Sequence, residues 1–129
     1  MSEVKTLMDF VKEAKSQITE IEVSKVVALL DEGYQVLDVR EPGEFHSGTI
    51  DGAHNVPRGV LEAACDLQYP GHQEVMQDRD KKWLLLCATS GRSAMATSVM
   101  QQMGFKNVIN IQGGIAAWKT AEMLVVIPS

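Results

Sequence analysis

The sequence is poor in cysteine and lacks both a long apolar run and an export signal. Its 129 residues include 2 cysteines, and its first residues, MSEVKTLMDFVKEAKSQ, mix charged and apolar side chains. Both features are typical of a protein in a reducing cytoplasm, where a structural disulfide is not expected. No apolar run approaches the ~20 residues of a membrane span. The sequence therefore predicts a cytoplasmic protein without a membrane partner.

Net positive charge is also missing. The formal net charge is −5, which argues against nucleic acid or anionic membranes as main partners. The length suits one domain with a real hydrophobic core, and the 45% apolar fraction is ordinary for a globular protein. Because the chain is acidic overall, any site that binds an anion must be built locally.

Hydrophobic periodicity predicts alternating helices and strands. Such alternation is typical of parallel βαβ crossovers, so we expect a three-layer α/β fold with a central, mostly parallel sheet flanked by helices. A turn is expected at Pro42-Gly43, and residues 59–80 have no regular pattern. The expected helices cover residues 3–15, 23–30, 93–103 and 113–120, and the expected strands cover 18–21, 35–40, 53–57, 83–87 and 107–111.

One stretch, LLLCATSGRSAMA (84–96), places a thiol where an apolar strand ends and a helix begins. Ligands of open α/β sheets bind beyond the carboxyl ends of the strands, where Cys87 lies. Small residues and a glycine let the loop curl its N–H groups inward, and Arg92 adds a cation; both favour a reactive thiolate. The alternative is an inert buried cysteine. The small loop residues are Ala88, Thr89, Ser90 and Gly91.

Four motifs resemble the single-domain rhodanese family of sulfurtransferases, in order and in spacing. They are LDVREPGEF (37–45), GTIDGAHNVP (48–57), CATSGRS (87–93) and GGIAAW (113–118), and the resemblance covers residues 18–121. It implies the rhodanese-like three-layer fold in residues 18–129, preceded by an amphipathic helical extension in residues 1–17. It also implies transfer of a sulfane sulfur from a donor, thiosulfate or a persulfide, to cyanide or a thiol.

By position, the resemblance makes Cys87 the nucleophile that carries the sulfur as a persulfide and Arg92 the residue that closes the loop. Backbone N–H groups of Ala88, Thr89, Ser90, Gly91 and Ser93 would then surround the outer sulfur. This transfer needs no oxidant, so no cofactor and no metal are expected. The expected partners are a small-molecule donor and acceptor, with a protein persulfide as an alternative donor.

Two other functions stay open at this point. Cysteine phosphatases and arsenate reductases also combine a cysteine, a nest of amides and an arginine. Their loops have the spacing Cys-x5-Arg, whereas this chain has Cys-x4-Arg. Many rhodanese-like domains are non-catalytic binding or regulatory modules. Degenerate versions typically lose the cysteine, and this chain keeps both Cys87 and Arg92.

Four further residues are candidates for auxiliary roles. Asp38 and Arg40 could brace the catalytic loop, although an architectural role, with a salt bridge from Arg40 to Glu41 or Glu44, is favoured. Arg58 follows a segment that similar proteins bring to the pocket mouth, where it would attract an anionic donor; an ordinary exposed arginine is the alternative. Cys65 is expected to be buried packing, with a resolving thiol as the alternative.

Two expectations concern the donor and the N-terminal helix. Many thiosulfate-using rhodaneses resemble this loop but carry an extra basic residue within it, so its absence here favours a less charged persulfide, from glutathione or a protein. The predicted N-terminal helix places Val4, Leu7, Met8 and Val11 on one face. That stripe has to be buried, either on its own domain, giving a monomer, or in a homodimer interface.

Overall fold

The structure is a computed structural model that describes residues 4–128. Three short 3₁₀ turns, at Val23–Lys25, Arg58–Val60 and Glu74–Met76, complete its elements. The helices are α1 (Leu7–Lys15), α2 (Val26–Asp31), α3 (Pro42–Ser47), α4 (Leu61–Cys65), α5 (Gly91–Gln102) and α6 (Gly114–Thr120). The strands are β1 (Thr19–Ile21), β2 (Gln35–Asp38), β3 (His54–Asn55), β4 (Lys82–Leu86) and β5 (Asn107–Ile111).

The five strands form one parallel sheet in the order β1-β5-β4-β2-β3. In the centre, Leu84 lies opposite Val36 on one side and Ile109 on the other. All carboxyl ends therefore meet at one edge of the sheet, and the predicted α/β class is confirmed.

Side chains of β4 alternate between the two faces of the sheet, as the period of a strand requires. Each set packs into its own core cluster, so helices cover both faces and the predicted three layers are confirmed. No helix in residues 4–128 has the length and apolar character needed to cross a bilayer. Trp83, Leu85 and Cys87 pack with Leu61 of α4 and Met100 of α5, whereas Leu84 and Leu86 pack with Val26 of α2 and Trp118 of α6.

Helix α1 begins at Leu7, later than the predicted residue 3, which lies outside the described residues. Thr6 ends the preceding extended segment and caps the helix: its Oγ1 accepts from the Asp9 N–H at 3.2 Å, and the Asp9 carboxylate accepts from the Thr6 N–H at 2.7 Å. This capping box satisfies two N–H groups that the helix itself leaves unpaired. The helix packs against α5.

The chain buries only part of the predicted α1 stripe on its own domain. Val11 and Ala14 are buried against the domain, but Val4, Leu7 and Met8 are 78%, 66% and 65% exposed. A helix of nine residues buries only the short strip that faces α5. Leu7 and Met8 lie in the first turn of α1, and Val4 precedes the helix.

Helix α3 occupies the position where the sequence predicted a turn. Pro42 suits the first helical turn because its missing N–H has no partner there. The Glu44 carboxylate accepts from the Glu41 N–H at 3.1 Å, which closes a capping box. The Pro-Gly pair therefore marks a helix start, and α3 brings Glu44 to the carboxyl edge of the sheet.

Candidate active site

Cys87 directly follows β4 and is 1% exposed. Its carbonyl accepts from the Ile115 N–H at 2.9 Å, and that of Ala88 accepts from the Ala116 N–H at 3.1 Å. Gly114 permits this approach: its φ is +58°, and a Cβ there would lie 2.7 Å from the Ala88 carbonyl carbon. The amino end of α6 thus fixes the start of the loop, which explains the GG motif.

Two hydrogen bonds converge on the Cys87 sulfur. The Ser90 N–H donates to Sγ at 3.0 Å, and the Ser93 hydroxyl donates to it at 3.2 Å. Both serines are buried, at 4% and 0% exposure. An N–H and an O–H aimed at the sulfur are the kind of donors from which a thiolate or a persulfide anion accepts hydrogen bonds. The loop is therefore built to stabilise negative charge at this atom.

Ser90 carries the unusual backbone conformation that the sequence assigned to the neighbouring glycine. Its φ is +105°, a region that non-glycine residues avoid at a cost of about 1–3 kcal/mol. Gly91 is instead the first residue of α5, so the helix starts two residues earlier than predicted. The turn at Ser90 aims its N–H at the sulfur, and Lys15 holds its side chain by donating to Oγ at 3.1 Å.

Arg92 lies in the first turn of α5 and pairs with Glu44 of α3. Its Nη1 and Nη2 donate to Oε1 and Oε2 at 2.7 and 2.9 Å. The Arg92 guanidinium lowers the pKa of Glu44 to about 2, and Glu44 raises the pKa of Arg92. This fork bridges two helices, and the negative charge of Glu44 offsets the positive charge of Arg92 beside the cavity.

The predicted salt bridge from Arg40 to Glu41 or Glu44 is wrong. Arg40 donates to both carboxylate oxygens of Asp38, at 3.0 Å from Nε to Oδ1 and 2.7 Å from Nη2 to Oδ2. It also donates to the Gly48 carbonyl at 2.7 Å, while Thr49 donates to Asp38 at 2.8 Å. Within residues 4–128, the Asp38 and Arg40 side chains make no hydrogen bond to residues 87–93. The pair braces the chain around α3.

A cavity of about 270 Å³ opens beside Cys87. Helix α1 forms one wall of it, which sequence reasoning missed because no motif in residues 7–15 points to a site. The α1 residues of the wall are Leu7, Met8, Val11 and Lys15, and the rest of the lining is Cys87, Thr89, Gly91, Arg92 and Met95.

The sequence model of the Rhodanese-like domain family matches residues 22–121 of the chain. This chain belongs to that family. It is 37% identical over 101 residues to thiosulfate sulfurtransferase 16, chloroplastic, of Arabidopsis thaliana, covering 74% of this chain and 84% of that protein. It is 35% identical over 91 residues to a Mycobacterium tuberculosis protein named probable adenylyltransferase/sulfurtransferase MoeZ. That match covers 69% of this chain but 21% of the relative, so the chain spans about a fifth of its length.

A solved structure from Rhodopseudomonas palustris resembles the whole rhodanese-like fold seen here. The TM-score is 0.88, the sequences are 32% identical, and the match covers 98% of each chain. That protein is described as one of unknown function and as a possible tyrosine phosphatase. The match to the family model begins at residue 22, so α1 and β1 precede the matched residues, although β1 is part of the same sheet.

The structure places Arg58 away from the lining of the Cys87 cavity. Its guanidinium donates to Glu62 at 2.8 Å, four residues later. Arg58 lines a separate groove on the other side of α1, with Lys5 and Phe10. The expectation that Arg58 attracts a donor at the pocket mouth therefore has no support in this geometry.

Cys65 lies at the end of α4 and is fully buried, with no disulfide to Cys87. Burial raises the pKa of its thiol to about 11, so the thiol is protonated at neutral pH. A protonated, inaccessible thiol is a poor nucleophile, which favours the packing interpretation over the resolving one. No cluster of three or more His, Cys, Asp or Glu in residues 4–128 could hold a metal ion.

Proposed function

We propose that this protein is a sulfurtransferase that carries a sulfane sulfur on Cys87. The observation that carries the proposal is the pair of donors on Sγ, from the Ser90 N–H and the Ser93 hydroxyl, at the side of an open cavity. A persulfide anion needs such donors, and a preorganised site supplies them without reorganisation. The names of sulfurtransferase relatives support the same conclusion.

The reaction has two half-steps. The Cys87 thiolate attacks the outer sulfur of the donor, the donor's sulfur–sulfur bond breaks, and the leaving group departs with the bonding pair as sulfite or a thiolate. A nucleophilic acceptor, cyanide or a thiolate, then attacks the outer sulfur of the Cys87 persulfide and restores the thiolate. Both half-steps conserve charge and transfer no proton when the reactants are anions, so the chain needs no general acid for them.

The loop residues have separate parts in this scheme. Ser93 and Ser90 hold the sulfur, and the small side chains of Ala88 and Gly91 leave room for the outer sulfur beside the backbone. Thr89 is exposed and lines the cavity, so it contacts the donor's remaining atoms. Arg92 closes the loop through its pair with Glu44. The partners are a small-molecule donor and acceptor.

The mass of the intact protein tests the proposal directly. After incubation with a sulfur donor, the wild-type chain should gain one sulfur atom and lose it on treatment with cyanide. Cys87→Ser should abolish the adduct, and the matched control Cys65→Ser should keep it. A sulfur that remains on Cys87→Ser would show that another residue is the nucleophile.

Phosphate-ester hydrolysis is the second candidate, favoured by the description of the Rhodopseudomonas palustris structure. Two features weaken it. The guanidinium of Arg92 is already engaged by both oxygens of Glu44. The loop from Cys87 to Arg92 has four intervening residues, one fewer than the Cys-x5-Arg loop of cysteine phosphatases. Turnover of a phosphate ester without persulfide formation would establish the phosphatase. If the protein shows neither activity, the remaining function is that of a binding module.

A further inference from the structure

We infer that Lys15 is a specificity-determining residue that selects small anionic donors, sulfur oxyanions such as thiosulfate, at the Cys87 cavity. This inference deepens the proposed sulfurtransferase function and rests on it. Lys15 belongs to α1, which precedes the segment matched by the family model. The cation would therefore come from outside the residues that the family model matches.

Lys15 lies at the active-site loop in two respects. Its Nζ donates to Ser90 Oγ at 3.1 Å, and Ser90 is the residue whose N–H contacts the Cys87 sulfur. Lys15 also lines the same cavity as Cys87. The packing of Val11 and Ala14 against the domain fixes α1, and with it the position of the ammonium group.

The charge of Lys15 is less neutralised than that of Arg92. Arg92 is engaged by both oxygens of Glu44, at 2.7 and 2.9 Å. Lys15 has Glu20 as its carboxylate partner at 3.9 Å. Since Coulomb attraction falls with separation, the longer pair leaves more positive potential for a third group.

Glu20 is further occupied by another donor. Its Oε2, the oxygen nearest Lys15, accepts from Asn110 Nδ2 at 2.8 Å. The amide thus competes with the ammonium group for the same carboxylate oxygen. Lys15 still has N–H groups beyond the one given to Ser90, because an ammonium carries three donors.

This arrangement changes the expectation for the donor. The loop interior from Ala88 to Gly91 has no charged side chain, and that absence alone favours a less charged persulfide. Lys15 supplies from α1 the cation that the loop lacks. With thiosulfate, the Cys87 thiolate and a dianion must meet before the donor's sulfur–sulfur bond breaks and sulfite leaves with the electron pair. A nearby cation lowers the energy of that encounter.

Alkylation of Cys87 tests the charge of the site without any sulfur chemistry. Iodoacetate and iodoacetamide react with the same thiolate and differ by one negative charge. In Lys15→Met, the rate constant for iodoacetate divided by that for iodoacetamide should fall about three- to tenfold relative to wild type. Lys15→Arg should retain the ratio. Lys12→Met is the matched control, since Lys12 is exposed on the same helix and does not line the cavity.

A second measurement compares thiosulfate, a dianion, with methanethiosulfonate, a monoanion that also carries a sulfane sulfur. Lys15→Met should lower kcat/KM for thiosulfate several-fold more than for methanethiosulfonate, chiefly through KM. An equal loss with both donors, or an unchanged alkylation ratio, would overturn the inference, because a lysine that only holds Ser90 affects all reagents alike. Failure of wild-type persulfide formation would instead overturn the proposed function, while the alkylation ratio would still judge the anion site.

Discussion

Arg92 and Glu44 form a two-bond ion pair that joins the first turn of α5 to α3. The two residues are 48 positions apart in the chain, and both side chains are partly exposed. The arginine of the loop is therefore a tie between two helices that meet at the carboxyl edge of the sheet. Its charge reaches a substrate only together with that of Glu44.

This pair predicts a pH-dependent contribution to stability. The pKa of Glu44 is lowered from 4.5 to about 2, so the carboxylate stabilises the fold above pH 4.5 and the contribution is lost as the pH falls towards 2. Because the pair is partly exposed, Glu44→Gln should cost about 0.5–1 kcal/mol at pH 7. The difference in urea unfolding free energy between wild type and Glu44→Gln should vanish near pH 2. A difference that is constant with pH would contradict this assignment.

The same pair predicts that mutations at Arg92 and Glu44 are not additive. Arg92→Ala removes a cation and also leaves the Glu44 carboxylate unneutralised beside the cavity, so kcat/KM with thiosulfate should fall about tenfold to several hundredfold. Adding Glu44→Ala to Arg92→Ala should recover part of the loss. A double variant as slow as the product of the two single losses would mean that the residues act independently.

We expect removal of the Ser93 hydroxyl to weaken the stabilisation of the Cys87 sulfur. Its hydroxyl donates to Cys87 Sγ at 3.2 Å, and a hydrogen bond to a charged group contributes about 1.5–3 kcal/mol. Ser93→Ala should therefore lower kcat/KM for persulfide formation roughly tenfold to a hundredfold. Ser98→Ala, on the same helix and away from the sulfur, is the control. Equal rates for the two variants would show that the hydroxyl does not act on the sulfur.

We expect the loop at Cys87 to lose its conformation when a methyl group is added at Gly114. Its φ is +58°, and a Cβ would meet the carbonyl groups of Cys87 and Ala88. Gly114→Ala should destabilise the fold by about 1–3 kcal/mol and lower sulfur transfer by moving the loop. Thermal unfolding and kcat/KM give the two readouts. Gly59→Ala is the control, since its Cβ would meet nothing within 4 Å and its φ is not positive; a Gly114→Ala variant as stable and active as this control would contradict the prediction.

Local signals in the sequence predict much of the fold. The apolar period places β5 at residues 107–111, as observed, and β4 within one residue at each end. The loop at Cys87 is predicted by composition, because small residues between a strand and a helix have few other arrangements. What the sequence does not reveal are contacts between distant segments. The pairing of Arg92 with Glu44 depends on α3 being a helix, and Lys15 reaches Ser90 only because α1 packs on α5.

Strand β1 also has a consequence for anyone who shortens this protein. It pairs with β5 from Thr19 opposite Ile109 to Ile21 opposite Ile111, and it ends one residue before the family match begins. Deleting residues 1–16 would leave that pairing intact. Deleting residues 1–21 would make β5 an exposed edge strand, whose unpaired N–H and C=O groups can pair with a strand from another molecule. A protein cut at the boundary of the family match would thus have an unpaired edge strand that the full chain does not expose.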